Sequence, residues 1–327
     1  MGTATDYVSR LVAPYEPTVA LEELVEQLNR LYHSVEASHY DDRHAEILDE
    51  LPPVWREMLR QAAGMEPGAW SILDFGCGTG FEADQLVESL PADRIENLTC
   101  YDLSPEMLGR CRAKIAPRCG RAVFTNRLDD LRRGTRRFNV LMTNALLHHV
   151  VRPWEMIESL FPLLEPNAIW LQGHEPSRRF LANPECLAAF DAYLCEHRWR
   201  RFLSPKKYLA RLARLLRGDR DPAAAAARRS FDAGLFRRMP PANVVGWLVD
   251  YHVAHNAEQA RVGKGFNVEE LQVDLRPQWQ LQWTTSYAHM GPAPKHLLPP
   301  HWLRRAGTLQ RKYPQDGASF SCIWRRT

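Results

Sequence analysis

The apolar positions of this chain change period along its length, and each change predicts an element. Leu21, Leu24, Val25, Leu28 and Leu31 recur at three- and four-residue spacing, which predicts an amphipathic helix. Pro52-Pro53 predicts a break in the next helical pattern, because proline has no N–H to donate; Val54, Met58 and Leu59 begin another. From residue 71 the pattern shortens. Compact apolar runs at 71–75, 97–102, 121–125, 138–143 and 168–173 alternate with helical stripes at 81–90, 105–115 and 154–164. Ser104-Pro105 is a helix start, with serine as cap and proline at the first helical position. Strand and helix in alternation predict an α/β fold: a parallel sheet with helices on both faces, joined by right-handed crossovers. Such a sheet binds ligands at the C-terminal ends of its strands.

About 100 residues then separate the fifth run from the next strand-like run at 278–287. Residues 180–194 and 203–216 are helical by pattern, the latter with an apolar stripe of Tyr208, Leu209, Leu212, Leu215 and Leu216. Ala223–Ala227 is a short low-complexity run, and Pro240-Pro241 precedes a stripe of Val244, Val245, Leu248, Val249 and His252. An amphipathic helix must lie on something. We therefore expect residues 176–265 to be a helical lid over an acceptor site; the competing reading is a dimerisation arm, which would make the protein a homodimer. Runs at 278–287 and 318–325, with a Pro-rich loop Gly291–Pro300 between them, complete a seven-stranded sheet. The expected division is 1–66 as a helical cover, 67–175 as the ligand-binding core, 176–265 as the lid, and 266–327 as closing strands.

The chain is organised around Ser71-Ile-Leu-Asp-Phe-Gly-Cys-Gly-Thr-Gly80. The order is strand, glycine turn, helix. Glycine lets the backbone turn sharply and lets a ligand approach it, and the helix beyond points free N–H groups at that ligand. The spacing G-x-G-x-G differs from the G-x-G-x-x-G of dinucleotide sites. Asp74 stands two residues before the first glycine, which suits a cationic group better than a pyrophosphate. Asp102 ends the second strand run, 22 residues after Gly80, where a ribose-binding acid is expected.

Ile72–Gly80, Tyr101-Asp-Leu-Ser-Pro-Glu-Met-Leu108 and Phe138-Asn-Val-Leu-Met-Thr-Asn-Ala-Leu-Leu-His-His-Val150 together resemble the class I S-adenosylmethionine-dependent methyltransferases, in their small-molecule branch. The likeness spans residues 36–175 and is weaker over the last 60. It implies a Rossmann-like, mostly parallel sheet and S-adenosyl-L-methionine as cofactor. It implies that Asp74, Gly76, Cys77, Gly78 and Asn144 hold the methionine part, that Asp102 accepts from both ribose hydroxyls, and that Leu103 and Met107 pack the adenine. Leu128 and Asp129 are candidates for the adenine edge, and Tyr40, with His44 beside it, for a segment folding over the cofactor. On the acceptor side His174 and Glu175 end the fifth strand. Tyr251 and His252 sit in the insertion with His255 three residues on, and His149 follows the fourth strand; histidine is the commonest general base. Each of these also has a plain structural reading, as a satisfied polar residue.

Seven cysteines without a Cys-x-x-Cys pair argue against a disulfide framework and a zinc site, so no metal is expected, and a reducing cytoplasm is the expected location. The first residues show no leader pattern, and no run reaches the ~18 apolar residues of a membrane span. Residues 198–238 hold 13 Lys/Arg against three acids, while the whole chain is only +3. The Arg-rich segment is either a solvated face or a surface for an anionic substrate or nucleic acid. Thr143-Asn144-Ala145-Leu146 lacks the Asn/Asp-Pro-Pro-aromatic signature of enzymes that methylate base amines, so a small-molecule substrate is expected and nucleic acid is not. The alternatives are a nucleic-acid or protein methyltransferase that uses the Arg-rich segment, or a cofactor-binding protein without methyl transfer, such as a cyclase or a regulator.

Overall fold

The computed structural model describes residues 3–202, 221–291, 293, 295 and 298–327. Residues 203–220 of the Arg-rich segment, including the stripe Tyr208–Leu216, lie outside the described residues.

Seven strands form one sheet: β1 Trp70–Phe75, β2 Ile95–Tyr101, β3 Ala122–Thr125, β4 Phe138–Asn144, β5 Leu164–Pro176, β6 Trp279–Tyr287 and β7 Ser319–Arg326. Their order is β3-β2-β1-β4-β5-β7-β6. The first five are parallel, and β7 pairs antiparallel with both β5 and β6. The side-chain period of two explains the unbroken apolar runs. Trp70 and Ile72 enter one core, Leu73 and Phe75 the other; Val140 and Met142 oppose Leu141, and Ile169 and Leu171 oppose Trp170. With both faces buried, a parallel strand has no polar side to show.

The first core is closed by α4 (Ala45–Met65), α5 (Phe81–Ser89) and α6 (Pro105–Ile115). The expected break at Pro52-Pro53 does not occur: α4 runs through both prolines. An interior proline costs about 3 kcal/mol. Leu51, Trp55, Met58 and Leu59 are fully buried on the same helix, at ~1.5–3 kcal/mol each, which is enough to offset two prolines. The second core is covered by α7 (Leu128–Arg133), α8 (Pro153–Ser159) and a helix at Val268–Asp274.

A third cluster joins α1 (Ala4–Val12) and α2 (Leu21–Glu36) to helices Pro222–Asp232 and Ala242–Val249. A fourth joins α9 (Arg178–Ala182) and α10 (Pro184–Phe202) to Pro300–Lys312, a helix between β6 and β7 beyond the expected Pro-rich loop. The region 176–265 is thus divided between two helical clusters. His252 and His255 do not share a helix face, because the helix ends at Val249. Its freed carbonyl ends are drawn into tertiary bonds: Val249 O accepts from His149 Nδ1 at 2.7 Å, and just beyond it His252 N donates to His148 O at 2.9 Å. No helix among the described residues is long and apolar enough to cross a membrane.

Candidate active site

The C-terminal ends of β1, β2 and β4 open into a cavity of about 530 Å³. Its floor is the glycine turn. Gly76 N and Cys77 N both donate to Tyr101 O, at 2.8 and 2.9 Å, so the turn is tied to the end of β2. Gly76 has φ +81°, and a Cβ there would lie 2.8 Å from the Leu146 side chain. Gly78 has φ +51°, and nothing lies within 4 Å of where its Cβ would stand. The turn is left-handed and faces open space, as a backbone cradle for a ligand requires.

Asp102 lines the cavity. Its Oδ2 accepts from Gly78 N and its Oδ1 from Ser104 N, both at 2.8 Å. Each oxygen keeps a second lone pair. Burial raises its pKa to about 6, against the lowering effect of these two N–H groups. Leu103, Met107, Leu128, Tyr40 and Asn144 line the same space. Ser104 caps α6 through Met107 N, which fixes where Met107 points. Asn144 Oδ1 accepts from Trp55 Nε1 at 3.0 Å, so α4 holds the end of β4.

Three residues implied for the cofactor stand elsewhere. Asp74 is wholly buried beneath the turn and outside the lining; neither of its carboxylate oxygens accepts a hydrogen bond, and burial beside Glu82 holds its pKa well above the carboxylate range. Cys77 contributes its backbone to the turn, but its thiol is buried next to Cys100 and Cys111. Asp129 is exposed on the first turn of α7, away from the cavity.

The acceptor-side candidates separate more sharply. Only His149 lines the cavity. Its Nδ1 donates to Val249 O, which leaves Nε2 as an acceptor. Burial, then the neighbouring His148 and His33, hold it well below its ordinary pKa, so it is neutral. Glu175 is fully buried and committed to the loop after β4. It accepts from Leu146 N, Leu147 N, His148 N and His148 Nδ1 at 2.8–3.2 Å. His174 pairs with Tyr287 Oη at 3.1 Å, outside the lining. Tyr251 is buried in the third cluster and donates to Thr5 Oγ1 at 3.2 Å. His252 Nε2 lies 3.3 Å from Val151 O and borders a separate recess. The five side chains therefore do not form one constellation. His148, His149 and Asp250 do bring ligand atoms within 4.8 Å of one another, but both histidine Nδ1 atoms are already bonded, to Glu175 and Val249.

The roof of the cavity is α2, through Val25, Asn29 and His33. None of the described residues from 176 to 265 lines it. Sequence reasoning missed Asn29 and His33; the available signal was a polar pair four apart beside the apolar stripe Val25/Leu28. Glu22, Glu26, Arg30, Arg152 and Glu155 are exposed lining residues and mark the open end.

Residues 73–170 match the family model described as a methyltransferase domain. That match takes in the glycine turn, Asp102 and the His148-His149 pair, the motifs on which the sequence resembles the class I S-adenosylmethionine-dependent methyltransferases. No curated protein matches the chain. Among solved structures, the plantazolicin methyltransferase BpumL, in complex with a monoazolic desmethylPZN analogue and SAH, is 15% identical with a TM-score of 0.42, covering 94% of this chain and 98% of that one. An S-adenosylmethionine-dependent methyltransferase from Mesorhizobium loti is 15% identical (TM-score 0.41; 84% and 96% covered). The N-methyltransferase NodS from Bradyrhizobium japonicum is 19% identical (TM-score 0.37; 45% and 74% covered).

Proposed function

We propose that this chain transfers a methyl group from S-adenosylmethionine to a small molecule, a biosynthetic metabolite. The observation that carries this reading is the single cavity running from Gly76, Gly78 and Asp102 to His33 and His149. Its volume lies in the range of small-molecule sites, and it is roofed by a helix. The residues fit the cofactor. The left-handed glycine turn, open at Gly78, would seat the methionine part, with Gly76 N and Gly78 N already committed to Tyr101 O and Asp102 Oδ2; the Asp102 carboxylate takes the ribose hydroxyls, and Leu103, Met107 and Leu128 pack the adenine. Tyr40 closes over it. When bound, the cofactor supplies an electrophilic methyl on a sulfonium. The chain's own contribution is positioning, which supplies up to about 7–11 kcal/mol in the best intramolecular reactions. The exposed end carries Arg30 and Arg152 against Glu22, Glu26 and Glu155, with Arg152 paired to Glu22 at 3.0 Å and Glu155 at 3.3 Å. This balance of charge gives an anionic substrate no advantage.

The test is transfer of label from methyl-labelled cofactor to a panel of small amines, phenols and carbon acids, run beside transfer RNA, duplex DNA and mixed peptides. Label in a small molecule is expected. Label in nucleic acid or peptide alone, or cofactor binding without any transfer, would sink the proposal.

A further inference from the structure

At the acceptor end of the cavity, three side chains offer hydrogen-bond acceptors. Asn29 Nδ2 donates to Val25 O at 2.9 Å and to His149 O at 3.2 Å, which fixes the amide orientation; its Oδ1 is buried with no partner. His149 Nδ1 donates to Val249 O, so Nε2 is an acceptor. His33, one turn beyond Asn29 on α2, sets its ring edge-on to His149 with centroids 5.1 Å apart, and its Nδ1 is buried without a partner. The cluster is held together by its own bonds, and each neutral ring keeps one acceptor nitrogen, while its one N–H without a partner is on His33.

The charges around it point the same way. Burial drives the His33 pKa down to about 4, opposed by Glu36 and Asp250 and assisted by His44 and His148. His149 is also lowered. Both imidazoles are therefore neutral at pH 7 and accept rather than repel a donor. The nearest carboxylate to His33 is Glu36, with Oε2 3.9 Å from Nδ1, and Asp250 Oδ1 lies 3.8 Å from His149 Nδ1 on the side away from Nε2. No carboxylate is among the three acceptors themselves. A buried site of neutral acceptors suits a neutral donor; a charged one would be desolvated with its nearest carboxylates, Glu36 and Asp250, behind the two rings rather than in contact with it.

We propose that Asn29, His33 and His149 form the acceptor subsite of the methyl transfer and select a neutral primary amine. This rests on the methyltransferase reading above. A hydroxyl brings one donor and leaves at least two acceptors unpaired, whereas a primary amine brings two N–H groups and keeps its lone pair free. Two N–H bonds to the subsite point that lone pair away from α2, toward the glycine turn. The lone pair forms the N–C bond while the C–S bond breaks and its electron pair stays on sulfur. The amine proton remains on the product, which leaves as the N-methylammonium.

The experiment uses matched pairs, benzylamine with benzyl alcohol and tryptamine with tryptophol, with labelled cofactor and the full chain. The expected result is transfer to the amine of at least one pair, about tenfold or more above its alcohol. Asn29→Leu and His149→Phe should each lower kcat/KM for the amine about tenfold while S-adenosylhomocysteine affinity, which also reports folding, holds. Independently of turnover, the ring nitrogens of His33 and His149 in the ¹⁵N-histidine-labelled S-adenosylhomocysteine complex should shift on adding benzylamine. Preference for the alcohols, or unmoved histidine signals beside normal transfer, overturns the subsite and leaves the methyltransferase reading standing. Cofactor binding with no transfer to any pair overturns both.

Discussion

Glu175 and His148 meet at 2.9 Å, Oε2 to Nδ1, and the same carboxylate receives the three backbone N–H groups of Leu146, Leu147 and His148. One side chain at the end of β5 thus shapes the loop that follows β4, and that loop carries His149 to the cavity. The His148 pKa responds to this contact. Burial alone would lower it, but the hydrogen bond and charge of Glu175 outweigh burial and raise it. A raised histidine pKa stabilises the fold fully below the unfolded value of about 6.5, and that stabilisation is lost as pH rises through the folded value.

The first prediction is that Glu175→Ala is a stability variant. Three buried N–H groups and an imidazole would lose their acceptor, at a cost of ~3 kcal/mol or more. Denaturant melts at pH 6 and pH 8 should show the larger loss at pH 6, where His148 is protonated in the parent protein. A variant as stable as the parent at both pH values would mean that the loop is held by other contacts.

The second concerns Asp102. Burial raises its pKa to about 6, and ribose hydroxyls need the charged carboxylate as acceptor. Cofactor binding should therefore release a proton below about pH 6, and affinity should fall there by about tenfold per pH unit. Asp102→Ala should bind at least about tenfold more weakly at pH 8 and lose this pH dependence. Calorimetry in buffers of different ionisation enthalpy reads both quantities. A flat pH profile in the parent protein would remove Asp102 from the ribose.

Why some of this was legible in the sequence and some was not follows from the range of the forces involved. The sheet, its two faces and the glycine turn depend on local period and local backbone need, so Ile72–Gly80 and Ser104-Pro105 announce them directly. Asp102 was legible because strand length fixes its distance from the turn. Glu175 and Tyr251 were not, because their partners, at residues 146–148 and at Thr5, are remote in sequence. Pro52-Pro53 misled for the same reason: the burial that offsets the two prolines is tertiary. The roof of the cavity was sought in residues 176–265 because that stretch is long and amphipathic. The amphipathic helices it does contain at 222–249 pack on the outer side of α1 and α2 instead.

The third prediction is that Gly76→Ala impairs the cradle. A left-handed conformation costs a non-glycine residue about 1–2 kcal/mol, and the added Cβ would press on Leu146, itself a lining residue. Cofactor affinity should fall about five- to thirtyfold, with a loss of stability no larger than the ~1–2 kcal/mol of backbone strain, because Leu146 has the open cavity to move into. A loss of stability well beyond ~2 kcal/mol would indicate that the turn collapses rather than distorts.

The last prediction separates the roof from its support. Tyr251 and His252 were candidates for the acceptor site because polar groups in an apolar stretch are costly unless bonded or used. Both are bonded. Tyr251 donates to Thr5 Oγ1 and packs with Val8, Val244 and Leu248, and His252 N reaches His148 O. They can reach the cavity only through what they hold in place. Tyr251→Phe keeps the packing and gives up one hydrogen bond, so it should cost about 0.5–1.5 kcal/mol of stability and leave transfer unchanged. His252→Ala should likewise lower stability while kcat/KM stays within about twofold, since its backbone N–H, which bonds His148 O, is retained. His149→Ala should do the reverse, with transfer falling about tenfold or more at unchanged cofactor affinity. Stability melts and single-turnover rates on the three variants form the measurement. If His252→Ala abolished transfer at full stability, the acceptor would approach from the recess bordered by His252, Phe266 and Trp154, and α2 would be a structural cover alone.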